Sequence, residues 1–142
     1  MAATDFIYSR FNGAGGFDRS VKNTTGSAMV PGQTVKLDTA NPVSGTQGAP
    51  GVVLTAAVAD FPYGVVVENI PAGGYGRVQL EGEAICIAQA AIAVGAIVGA
   101  GAGVAGDVIA YTAANPSLGQ AMTAAANAAD PVLVRMSISK NA

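Results

Sequence analysis

The sequence predicts an all-β domain, a small β-barrel or sandwich of about eight short strands with an extended N-terminal arm. Three observations carry this. The apolar runs are short and are punctuated by 19 glycines and 7 prolines among the 142 residues. Several runs alternate apolar and polar side chains with period two, as half-buried strands do. No amphipathic helical segment separates them, which excludes a doubly wound α/β domain.

Residues 1–27 read as an arm that packs on the core or on a neighbouring subunit, and residues 28–142 as the β core. The arm places Phe6, Tyr8, Phe11 and Phe17 around Gly13, Gly15 and Gly16, whereas free tails are poor in aromatics. After a Pro31-Gly32 turn, Val35 and Leu37 alternate with Thr34 and Lys36 as a strand. Residues 38–51 are rich in glycine, proline and small polar groups and read as a loop. Val52, Val53 and Leu54 start the next strand. Pro62 fixes its own φ and holds Phe61 extended, so Asp60–Gly64 is a turn.

Two central strands follow, Gly64–Glu68 and Arg77–Ile87, joined by a loop with one proline and three glycines. In the longer strand Val78, Leu80, Gly82, Ala84 and Cys86 share one face. The opposite face turns from polar to apolar after Glu83, and Gly82 marks a bulge or bend. Gln89–Val94 is a turn, Gly95–Ala100 a strand, Gly101–Gly103 a tight turn and Asp107–Thr112 the partner strand. Asn115-Pro116 turns the chain again. Gly119–Ala126 reads as strand in this β context, although alanine favours helix. Pro131–Ser139 closes the chain, with Val132, Val134, Met136 and Ile138 on one face.

Composition narrows the function classes. Charged residues make up 11% of the chain and hydrophobic residues 51%, against about 25% charged in an ordinary soluble domain. Such a surface is expected to be covered by partners. The net charge is −2 and the seven basic residues are scattered, so no nucleic-acid partner is expected, because phosphate contacts need clustered Lys and Arg. Ala84–Gly106 carries no charge and has glycines at GxxxG spacing. Alanine and glycine give little drive for insertion and no basic anchor flanks the run, so no membrane partner is expected. The N-terminus has no apolar stretch after a basic start, as a secretory leader would.

The same inventory argues against catalysis. Histidine is absent, which removes the commonest general base and metal ligand. Cys86, the single cysteine, lies in an apolar run and reads as a core residue. The glycine clusters do not fit GxGxxG or a P-loop, and no GxSxG occurs. Glu81 and Glu83 would lie roughly 6–7 Å apart on one strand face, with neither an aromatic platform nor an Asp-rich loop beside them. No catalytic, cofactor-binding or metal-binding residue is expected, and no cofactor.

The segment from Pro62 to Ala88 carries Gly64, Val65, Glu68, Ile70, Gly73, Gly76, Val78 and Gly82 in an order that resembles a family of small tailed-phage capsid decoration, or cement, proteins. An alanine-rich strand at Ala84–Ala91, Gly95–Val98, Gly119–Ala121 and the valines of Val132–Met136 continue it. The resemblance spans Val52 to Ile138 and leaves about the first 50 residues unmatched. It implies a virion structural protein on the outer capsid surface that binds the major capsid protein of the expanded shell and stabilises the head as a homotrimer. The contact residues it leads us to expect are Phe6, Tyr8, Phe11 and Phe17 in the arm, Tyr63, and Asn69, Ile70 and Tyr75 in the loop after the first central strand. A tail-tube or other virion subunit, and a trimeric soluble β-domain enzyme, are the alternatives the sequence allows.

Overall fold

The structure is a computed structural model, and it describes residues 17–41, 48–111 and 114–139. Ten strands follow one another: β1 (Phe17–Asn23), β2 (Thr34–Leu37), β3 (Gly51–Leu54), β4 (Gly64–Val66), β5 (Tyr75–Glu81), β6 (Glu83–Ile87), β7 (Ile97–Ala100), β8 (Val108–Ala110), β9 (Ser117–Ala121) and β10 (Pro131–Ser139). The first five close into a barrel in the order β1-β3-β2-β4-β5, and the last five form a sheet in the order β6-β10-β9-β7-β8. The all-β class stands, with ten strands in place of about eight.

Two differences from the sequence reading have clear causes. Arg77–Ile87 is not one strand. Gly82 has φ 89, a left-handed conformation that costs an L-residue about 1–2 kcal/mol, and the chain turns there from barrel to second sheet. Glu81 and Glu83 therefore do not share a strand face; they flank the corner. Within the segment read as an arm, residues 17–23 form β1, which pairs antiparallel with β5 and parallel with β3. That strand belongs to the barrel wall. Phe6, Tyr8 and Phe11 lie outside the described residues.

The ladders reveal that the architecture is built twice. β2 and β3 pair Val35 with Leu54, and β7 and β8 pair Val98 with Ala110. Val65 faces Gln79 as Gln120 faces Arg135, and Val21 faces Gly76 as Cys86 faces Val132. The isolated bridges Met29–Ile70 and Ile92–Ala125 correspond, and the parallel pair Asn23–Val52 matches Ala88–Val108. Each strand from β1 to β5 thus has its counterpart among β6 to β10, at matching register. Hydrogen bonds beyond the ladders repeat too: the Asn23 N–H donates to Gly74 O as the Ala88 N–H donates to Asp130 O, and the Thr24 N–H to Val52 O as the Gln89 N–H to Val108 O. The second sheet is accordingly the same barrel, closed between β6 and β8 by one bridge.

A difference at one carbonyl explains that thin seam. In the first half the Lys22 N–H donates to Pro50 O at 2.9 Å. The register places Gly106 where Pro50 stands, but Gly106 O accepts from Thr34 N–H at 2.7 Å and Gly106 N–H donates to Thr55 O at 2.8 Å. The group that would seal the second barrel is used to clasp it to the first.

Each half has its own core. Val21, Met29, Val35, Val52, Val66, Ile70 and Val78 fill the barrel. Ala84, Cys86, Ala88, Val98, Val108, Leu118, Val132 and Val134 fill the second half. Successive residues of a strand point to opposite faces, so Val66 enters the barrel while Val65 leaves it and joins the second core. At the corner, Gln79 is buried and its Nε2 donates to Glu81 O and Glu83 O, both at 2.8 Å. Replacing Gln79 by leucine leaves two carbonyls without that donor, and a loss of about 1–3 kcal/mol is expected. Gly82→Ala should cost about 1–2 kcal/mol. Urea unfolding monitored by circular dichroism measures both.

Candidate functional site

The described residues contain no group of three or more His, Cys, Asp or Glu placed to hold a metal ion. Cys86 is fully buried in the second core, and burial pushes its thiol up to about 12. A thiol so held is a packing residue rather than a nucleophile. What the fold does present is apolar side chains at its surface. They include two apolar grooves and Tyr75 at the end of the loop between β4 and β5.

The first groove lies beside the Asp60 turn. Leu37 at the end of β2, Phe61, Pro62 and Tyr63 meet Ile138 from β10, with Lys36 and Thr39 on the rim, around a groove of about 510 Å³. Phe61 is 50% exposed and Leu37 47%. The turn is rigid because Asp60 binds two backbone amides and the Lys36 ammonium, at 2.8 Å. Burial would raise the Asp60 pKa, but these donors outweigh it and hold it below the ordinary 3.8. Tyr63 is half-buried, packs on the barrel core and donates its N–H to Val35 O. The sequence pattern marks Phe61 only as part of a turn and groups Leu37 with the inward-facing Val35, so neither is legible from it as a surface residue. A proline between two aromatics was the available signal.

The loop between β4 and β5 leads to Tyr75. Glu68 accepts from the Arg77 N–H at 2.8 Å and faces its Nε at 3.4 Å, closing the loop at its base. Asn69 is exposed, and Tyr75 is 51% exposed with the Lys22 ammonium 5.8 Å from its ring centre. Ile70 differs from expectation. It is fully buried, bridged to Met29, and occupies the space a Cβ at Gly76 would need. Its side chain anchors the loop from below and presents nothing to a partner. Phe17 is half-buried at the start of β1, opposite Glu81. The structure does not gather Phe17, Tyr63, Asn69 and Tyr75 into one patch: Tyr63 belongs to the first groove, Asn69 and Tyr75 to the loop.

The second groove, of about 510 Å³, lies between the halves, where Pro31, Gly32, Val66 and Val67 face Ile85, Ile87 and Leu133. Ile85 is 63% exposed.

Two outcomes follow from these environments. Asp38 is also held below 3.8, first by the Thr24 hydroxyl and then by backbone amides that outweigh its burial. A carboxylate with a depressed folded-state pKa contributes stability above its unfolded value and loses it as pH falls through the folded one. Stability should therefore decline below about pH 3.8, and Asp60→Asn should make the decline shallower; urea midpoints across pH 2–6 measure this. Asp107, raised by burial, works in the opposite sense and offsets part of the loss. Separately, Cys86 should resist a thiol reagent at pH 8 in the native protein and react fully in denaturant.

No protein-family model and no curated protein matches the sequence. Among solved structures, the chain is similar to the head fiber gp8.5 N base of bacteriophage phi29. The likeness has a TM-score of 0.64 and 18% sequence identity, and covers 89% of this chain and 99% of that one. At that identity the similarity is one of fold.

Proposed function

We propose that the chain is a structural protein of a tailed-phage head, seated on the outer surface of the capsid. The observation that carries this reading is the fold shared over nearly all of both chains with a head-fibre base. The order of glycines and valines that resembles capsid decoration proteins supports it independently, as do the low charge and the exposed apolar clusters. On this reading the protein binds the major capsid protein of the expanded shell and stabilises the head, as a homotrimer. Its work is adhesion, supplied by many copies of a modest contact rather than by one strong site.

The Phe61 cluster is our first choice for the shell contact. It offers a half-exposed aromatic and a leucine on a turn already made rigid, so little order is lost on binding. Asn69 and Tyr75 of the β4–β5 loop, and Phe6, Tyr8 and Phe11 of the arm together with Phe17, are further contacts on the same reading. A head-fibre base is the second form of the proposal, favoured by the phi29 likeness; shell attachment is common to both.

Co-sedimentation with expanded shells of the same phage tests it, with unexpanded shells as control. Saturable binding to expanded shells alone is the expected outcome, and binding to neither would overturn the head reading. Phe61→Ala should weaken shell binding at least about tenfold if Phe61 is an anchor of the usual strength. Undiminished binding by that variant, with loss on deleting residues 1–16, would transfer the contact to the arm.

A further inference from the structure

The internal repeat fixes a relation between the halves, and a relation that works once can be applied again. In the first half, the face made by Pro31, Gly32 and Val67 lies against β6 of the second half. A Cβ at Gly32 would stand 2.9 Å from the Ile87 side chain. Gln79 reaches across to Glu83, and Val65 enters the second core.

The ladder register assigns counterparts to these residues in the second half. Val94 stands for Pro31, Gly95 for Gly32, Ile97 for Thr34, Met122 for Val67 and Arg135 for Gln79. Gly32 and Gly95 share a positive φ, at 95 and 86. The environments differ. Gly32, Thr34 and Gln79 are buried and Val67 half-buried, whereas Gly95 and Arg135 are exposed, Met122 is 43% exposed and Ile97 40%; Pro31 and Val94 are exposed alike. A face that is largely covered in the first half, apart from Pro31 at its edge, is bare in the second.

The same register names what should cover it. The counterpart of β6 is β1, so the next unit in the series is the β1–β5 wall of another copy. Ile87 corresponds to Lys22, and Glu83 to Asp18. The contact of Gly32 with Ile87 then becomes one of Gly95 with Lys22, whose ammonium lies 5.8 Å from the centre of the exposed Tyr75 ring. The bond from Gln79 to the Glu83 backbone carbonyl becomes one from Arg135 to the Asp18 backbone carbonyl, with a side-chain donor kept at the equivalent place. Apolar side chains meet an amphipathic pair, and a side-chain donor meets a backbone acceptor.

We infer that the face bearing Val94, Ile97 and Met122 binds the β1–β5 wall of a second copy of this chain, head to tail, repeating between chains the contact made between the two halves. Such a heterologous contact closes into a ring or extends as a filament, according to the rotation it carries. The inference supplies a surface for the self-association proposed above. It rests on the internal repeat, so failure to bind shells would leave it standing.

The test is made on the full chain by analytical ultracentrifugation. The wild type should sediment as an assembly, and Val94→Asp with Met122→Asp should reduce it to the mass of one chain. Lys22→Cys combined with Val94→Cys should cross-link under oxidation into species of two or more chains, with neither single variant doing so; buried Cys86 gives no background. A monomeric wild type, or an assembly indifferent to the two aspartates, would overturn the inference. Cross-linking by Val94→Cys alone would overturn it as well, because it would place the face on a two-fold axis against itself.

Discussion

The carbonyls of Glu81 and Glu83 converge on the side-chain amide of Gln79, and the two halves meet at that point. A strand that turns a corner leaves backbone acceptors that no ladder can reach. Gln79 supplies both missing donors from a buried position, while Gly82 supplies the backbone geometry. The direction in which β6 leaves the barrel follows from these two residues. The placement of the second core against Val65 follows from that direction.

The repeat gives this corner its meaning. Val65 and Gln120 occupy equivalent positions, one buried in the inter-half core and one exposed. Gln79 and Arg135 are likewise equivalent, one a buried clamp and one a surface cation. Side chains thus differ where the halves have different neighbours, whereas Gly32 with Gly95 and Gly64 with Gly119 keep the turns and close approaches that both copies need. The backbone plan is shared, and the side chains record which faces are covered within one chain.

Much of the strand content was legible in the sequence. The span of β10 was readable to the residue from the alternation of Val132, Val134, Met136 and Ile138, and the bend at Gly82 was foreseeable because a glycine interrupts a strand pattern. The repeat was not legible, because it lives in pairing register and shares few side-chain identities. Only backbone coordinates show that Ala88–Val108 restates Asn23–Val52. The surfaces were the least readable part. Period two places Leu37 with Val35, but Leu37 ends its strand and emerges at the rim. Ile70 lies in a polar, glycine-rich loop, yet it is pulled beneath it by the bridge to Met29. Burial at strand ends and in loops depends on what the chain brings over them, and local pattern carries no record of that.

Gly106 bears on mechanics. By lending its carbonyl to Thr34 rather than to its own barrel, it exchanges a stiff closed cylinder for a split one that is locked to its neighbour. Force applied across the molecule passes through that clasp and the Gln79 corner. The seam between β6 and β8 can widen like a slit in a tube, without parting the halves. The second half is thereby the compliant member of the pair and the first half the rigid one. Were the protein seated on a shell as proposed, deformation of that shell would be taken up in the second half before it loaded the contacts.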